Sequence, residues 1–148
     1  MASGTTDKGK YLFLKYAFDG ESVPATYRLI LCEDDTSPTK AINTLSELTE
    51  LADGNGYDSG GKAITSSEAT VTEVDGTVGA KVVWSDQTWT ATGTFPSSGS
   101  GARWAVITDG TAGSSNVLAY FDLSENRTLA NEQTLTLQGL EVDLNEPA

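Results

Sequence analysis

The stretch Trp89-Thr-Ala-Thr-Gly-Thr-Phe95 decides how this chain is read. Trp89, Ala91, Gly93 and Phe95 fall on one parity, and Thr90, Thr92 and Thr94 on the other. A period of two belongs to a strand with one buried face, and threonine suits the pleated surface. Val78, Ala80, Val82 and Trp84 alternate in the same way one strand earlier. Val71–Val74, Trp104–Ile107, Val117–Phe121 and Leu135–Leu144 extend the series. Turn residues separate these runs: Asp75-Gly76, Ser85-Asp86, Ser97–Gly101, Asp109-Gly110 and Gly113–Asn116. Short strands at regular spacing predict a mainly β chain, a single antiparallel β-sandwich of jelly-roll or Greek-key type.

The first half is less regular. Tyr11–Phe18 fits either a strand or a short helix, whereas Tyr27–Cys32 is a clear strand followed by the acidic turn Glu33-Asp34-Asp35. Leu45, Leu48 and Leu51 stand at i, i+3 and i+6, and Thr44 with Glu47 has capping-box form, so one short helix is expected near 44–51. The expected layout is an N-terminal arm over 1–10, one sandwich domain over 11–144 and a C-terminal tail over 145–148.

Composition excludes more than it assigns. The 148 residues include 21 acidic and 9 basic side chains, a net charge of −12, with no histidine and one cysteine. No Ser-His-Asp or Cys-His machinery can be built, nor a histidine metal site. One cysteine permits no internal disulfide and no Cys-rich cluster. The acidity opposes nucleic-acid binding, which needs a basic footprint. No apolar run is long enough to span a bilayer, and residues 1–10 lack the apolar core of a signal peptide. The expectation is a chain made in a reducing cytoplasm, without cofactor or metal.

Several motifs invite a chemical reading. Asp53-Gly-Asn55-Gly-Tyr57-Asp58 begins like a calcium loop, but Tyr57, Asp58 and Ile64 stand where a ligand, a glycine and a bidentate Glu belong. It is read as a turn, with positive φ at its glycines and at Asn55. The carboxylate pairs Asp34/Asp35, Glu73/Asp75 and Glu141/Asp143 are the only material for acid–base chemistry, and no catalytic cleft is expected from them. Trp84, Trp89 and Trp104 follow the apolar parity of core residues, with sugar stacking as the alternative. Asn126-Arg-Thr128 matches a glycosylation sequon by coincidence, and Cys32 reads as a small buried hydrophobe. Lys8, Lys10, Lys15 and Arg28 gather cationic charge near the N-terminus, either as an arm gripping an acidic partner or as scattered solvated side chains.

Taken in order, Tyr11-Leu-Phe-Leu-Lys-Tyr-Ala-Phe18, Glu21–Cys32, Ser37-Pro-Thr39, Leu45–Glu50, Asn55–Lys62, Val83–Trp89, Ala102–Asp109 and Leu118–Leu123 resemble a family of small tailed-bacteriophage virion proteins. The resemblance spans most of residues 11–142. It lies in the order of a Pro-Thr segment, a GY..GG turn, a Trp strand and two later strands. Members serve as head decoration, tail-fibre or general structural proteins, and no catalytic residue carries over.

The resemblance implies a capsid decoration (cement) protein on the outer surface of the head, contacting the major capsid protein or another virion protein as a homo-oligomer. Lys8, Lys10, Lys15 and Arg28 would form its contact arm. The alternative is a tail or fibre component binding host glycans through Trp84, Trp89 and Trp104. A hydrolase working with carboxylates alone is the third reading.

Overall fold

The computed structural model describes residues 3–65, 69–74 and 79–144. Its elements in chain order are β1 (Gly4–Thr5), α1 (Asp7–Phe18), β2 (Tyr27–Cys32), a 3₁₀ turn (Leu45–Glu47) and β3 (Lys62–Ile64). They continue with β4 (Ala69–Val74), β5 (Gly79–Trp84), β6 (Gln87–Thr90), β7 (Ala102–Thr108), β8 (Val117–Arg127), β9 (Thr134–Leu137) and β10 (Leu140–Leu144). All pairings are antiparallel, in a five-stranded sheet ordered β1-β8-β7-β2-β3, a three-stranded sheet β10-β5-β4 and a two-stranded sheet β6-β9. This is the mainly β, sandwich-like architecture that the alternating runs predict.

The five-stranded sheet is covered on both faces. Leu29, Leu31, Ala105 and Ile107 point into one core with Trp89, Leu137, Leu140 and Val142 from the other two sheets and Phe95 from the loop after β6. The opposite parity of the same strands, Ile30, Cys32, Trp104 and Val106, packs on Ile42, Leu45 and Leu48. Double burial explains why Leu-Ile-Leu-Cys and Trp-Ala-Val-Ile are continuous apolar runs without alternation.

Three expectations are corrected in detail. β6 ends at Thr90, and Ala91 and Phe95 stay buried beyond the ladder, with Phe95 bridged to Leu129. The run 135–144 is two strands in different sheets, separated at Gln138-Gly139. The short helix near 44–51 shrinks to one 3₁₀ turn, where Glu47 Oε1 accepts the backbone N–H groups of Asn43 at 3.0 Å and Thr44 at 2.9 Å. Those two bonds hold the Glu47 carboxyl below its usual range.

The largest correction lies at the N-terminus. Residues 4–10 are no arm: Gly4 and Thr5 pair with Tyr120 and Ala119, and the helix begins at Asp7. Thr6 is the N-cap and is fully buried. Its Oγ1 accepts from Gly9 N at 2.8 Å and donates to the Val117 carbonyl at 2.6 Å, so one hydroxyl ties the helix start to β8. Thr6 N adds a bond to Leu118 O at 3.0 Å, and Asp7 N one to Lys40 O at 2.8 Å. Gly9 lies against the Leu118 carbonyl so closely that a Cβ would overlap it, which seats the helix backbone directly on the strand. Position 145 onward, Val78 and Asp75-Gly76 lie outside the described residues.

Candidate functional site

Seating α1 through Gly9 fixes which of its faces is free. Leu12 and Phe13 pack against the sandwich core. On the outward side Tyr11, Leu14 and Phe18 stand at i, i+3 and i+7, with 53%, 62% and 85% of their surface exposed. Large apolar side chains this exposed, in line on one helix, form a patch of the kind that marks interaction sites.

Three of the four predicted contact cations border that stripe. Lys8 lies 5.5 Å and Lys15 5.7 Å from the centre of the Tyr11 ring. Lys15 also pairs with Glu21 at 3.2 Å and Asp19 at 3.7 Å, and the Glu21 hydrogen bond raises its pKa. Arg28 does not join them. It lies on β2, where its guanidinium donates to Gly60 O at 2.7 Å and Gly61 O at 2.6 Å, holding a loop in place.

A count of the nine cations sharpens the picture. Lys81 pairs with Glu141 at 3.0 Å, Arg103 with Asp122 and with Asp34 at 3.7 Å, and Arg127 with Glu125 at 2.5 Å. Lys62 covers the Trp89 ring at 5.4 Å. Among the described residues Lys8, Lys10, Lys40 and Lys62 have neither an ion pair nor a carbonyl held by a guanidinium, and Lys62 is set apart by covering a buried ring. Lys8, Lys10 and Lys40 sit together at the first turns of α1, because Lys40 is hydrogen-bonded through its carbonyl to Asp7. Lys40 was not anticipated from sequence, since no spacing rule links it to residue 10.

Lys10 and Lys40 also line an open cleft of about 370 Å³ with Tyr120, Glu141 and Asp143. Burial first, and the Glu141 carboxylate second, raise the Asp143 pKa, while the hydrogen bond from Lys81 lowers that of Glu141. The two carboxyls line the cleft together and shift each other's pKa, so a close acid pair does exist, contrary to expectation. They stand two residues apart on β10 and so come from one side of the cleft, whereas a glycosidase places its two carboxyls on opposite sides of the bond it cuts, about 5–9 Å apart. Of the other pairs, Asp34 serves Arg103 and Asp35 accepts from Thr49. Asp75 lies outside the described residues.

The tryptophans divide. Trp89 and Trp104 are each only 3% exposed, and cations cover their rings, Lys62 over Trp89 and Arg103 over Trp104 at 4.7 Å. Neither can stack a sugar, which corrects their place in the glycan reading. Trp84 is half-buried in an apolar groove of about 180 Å³ with Phe13, Val71, Val82 and Val142, between α1 and the three-stranded sheet.

The Asp53–Asp58 segment is a turn, as read: Gly54 and Gly56 have φ of 114° and 103°, and Asn55 has φ of 54°. It presents Tyr57, fully buried, whose hydroxyl accepts from Leu31 N at 3.2 Å and donates to Glu50 Oε1 at 2.8 Å. Among the described residues no group of three or more Cys, Asp or Glu is arranged to hold a metal. Cys32 is buried, and its thiol pKa is pushed far up by desolvation. Among the described residues no helix is long and apolar enough to cross a membrane.

No protein-family model matches this chain, and no curated protein and no solved structure is significantly similar to it.

Proposed function

We propose that this chain is a structural protein of a tailed-bacteriophage virion that works by contact, as a decoration protein on the outer face of the capsid. The observation that carries the reading is the outward face of α1. There Tyr11, Leu14 and Phe18 are exposed beside Lys8 and Lys10, on a helix anchored rigidly to the sheet. A rigid element bearing aromatic and aliphatic anchors with a polar rim is what a docking surface requires. The setting comes from the segment order described above. The contact cations become Lys8, Lys10 and Lys40, with Lys15 partly engaged and Arg28 removed.

Deleting residues 1–10 is an unsuitable test, because it removes β1, the Thr6 cap and the first helical turn together. The double variant Lys8→Glu/Lys10→Glu keeps those elements. Added to shells stripped of the chain, wild type is expected to occupy regular positions on each capsomer, countable by electron microscopy. The double variant should show clearly lower occupancy at equal concentration. Absence of the chain from intact particles, or its location at the tail alone, would overturn the reading.

A further inference from the structure

We infer that two copies of this chain associate edge to edge through β4, joining their three-stranded sheets into one sheet of six strands.

β4 is the longest strand edge left open. It closes one side of the sheet β10-β5-β4 and pairs with β5 over all six residues without a register shift. Among the described residues no backbone bond reaches its other side. Every second residue there turns its N–H and C=O outward, a template for another strand. Native chains blunt such edges by keeping them short, or with lysine, proline or a bulge. The other edges here are shorter or tied. β1 and β3 have two and three residues, and β6 and β9 four each. On β10 the Asp143 carbonyl accepts from Thr5 Oγ1 at 3.1 Å. Where β8 runs past β1, Ser3 Oγ accepts from Asp122 N, the Asp122 carboxylate accepts from Ser124 N, and the Arg127 guanidinium covers the Leu123 carbonyl. β4, Ala69-Thr-Val-Thr-Glu-Val74, has no lysine, no proline and no bulge.

Side chains name the occupant. Val142, Val82 and Val71 stand opposite one another across β10, β5 and β4, and all three line the groove with Phe13. The row runs from 5% exposed at Val142 to 75% at Val71, so it stops unfinished at the open edge. Opposite residues of an antiparallel pair both turn their backbone groups toward each other or both away, so a two-fold axis between two β4 strands must pass through a residue. Centred on Val71, it sets Val71 against Val71, Thr70 against Thr72 and Ala69 against Glu73 of the other copy. Six valines then form one row across six strands, and each Val71 is covered by its counterpart. Centred on Thr72, it would set Val71 against Glu73. A strand from another protein would satisfy the backbone, but nothing obliges it to bring a valine to the place opposite Val71.

Charge permits the approach. β4 and β5 carry one glutamate and one lysine, no net charge, on a chain of −12, so repulsion between two acidic bodies is low at this edge. Five residue pairs fall short of the roughly 20–30 residues a side of a standard interface, so the dimer is weak and follows concentration. The contact makes no use of Tyr11, Leu14 or Phe18, and it stands whether or not the chain decorates a capsid.

Sedimentation velocity of the full chain, from micromolar to millimolar concentration, should show wild type passing from monomer to dimer. Val71→Asp enters the contact twice and should weaken it roughly a hundredfold, at about tenfold for each buried side chain lost. Val71 is mostly exposed, so circular dichroism should report an unchanged fold. A cysteine trap reads the register directly. Val71→Cys should cross-link to itself under mild oxidation, because its two Cα atoms lie opposite each other within the about 4.4–6.8 Å that a disulfide spans. Ala69→Cys should not, since its own counterpart lies about 13 Å further along the strand. The native Cys32 is buried and takes no part. A dimer left unchanged by Val71→Asp, or Ala69→Cys cross-linking as readily as Val71→Cys, would overturn the inference. A wild type that stays monomeric would also overturn it and leave the edge to a strand of another protein.

Discussion

Replacing Thr6 by valine tests whether one buried hydroxyl holds the candidate contact helix on the sheet. Valine keeps the shape of threonine and accepts the extended backbone found here, φ −74° and ψ 160°. What is lost is the acceptor for Gly9 N at 2.8 Å and the donor to Val117 O at 2.6 Å, at a residue with no exposed surface. Loss of an N-cap costs about 1 kcal/mol. Leaving a buried backbone group without its partner adds about 1–2 kcal/mol. The sum, about 2–3 kcal/mol, is a large share of a domain stability of about 5–15 kcal/mol. At about 2–4 °C per kcal/mol for a chain of this size, the melting temperature should fall by about 5–10 °C. Urea denaturation should give a lower midpoint at unchanged slope, and amide exchange should accelerate first over Gly9–Leu14, where the helix opens locally. A loss below about 0.5 kcal/mol with unchanged exchange in α1 would refute the reasoning, since a surface substitution does no more.

Two further substitutions probe other parts of the same structure. Tyr57→Phe removes the hydroxyl that joins Leu31 N to Glu50, and should cost about 1–3 kcal/mol by leaving a buried N–H unpaired; stability equal to wild type in urea would contradict that role. Asp143→Asn removes a carboxyl whose pKa is raised in the folded chain. Between the ordinary aspartate pKa and the raised one the native state binds more protons than the unfolded state, so wild-type stability is lost as pH rises through that window. The variant should therefore melt higher than wild type near neutral pH and no higher below the ordinary aspartate range; an offset independent of pH in calorimetry would show that the carboxyl does not titrate in this way.

Much of the sandwich was legible because its strands obey parity, and the failures have local causes. Trp89, Ala91 and Phe95 are all buried, as their alternation requires, although the ladder stops at Thr90. Tyr11–Phe18 fits a strand and a helix alike because apolar residues occupy 11–14 and 16–18 almost without interruption. The helix buries Gly9 and half-buries Leu12, Phe13 and Tyr16, and it exposes Tyr11, Leu14 and Phe18, so no single face carries the hydrophobic signal. Its cap was equally quiet, since Thr6 has glycine rather than glutamate three residues on. Arg28 illustrates the limit of local reading: its partners are carbonyls 32 and 33 residues away, and nothing in the neighbouring sequence distinguishes it from a solvated cation. The lysines on α1 were found by composition alone, whereas Lys40 joins them only through the tertiary bond from Asp7.

The residues on the outer face of α1 matter because the fold does not need them. Asp7 in the first turn and Lys15 in the last obey the helix dipole. Lys8 and Lys10 do not: they place positive charge near the positive end of the helix, where a cation is unfavourable by up to about 1 kcal/mol. Tyr11, Leu14 and Phe18 add apolar surface facing water beside them, although a helix pinned by Thr6 and Gly9 would stand as well with polar residues there. Five other cations are each matched inside the chain, to a carboxylate, a ring or a pair of carbonyls. Consistency across local preference, packing and charge is the rule for a sequence that specifies one fold, and departures concentrate where function lies. Here two kinds of departure, misplaced cations and exposed aromatics, coincide on one rigid face of an otherwise acidic body. Burial against an acidic, apolar partner would turn both from a cost into a gain, and that sign reversal is the physical reason to look for the contact on α1.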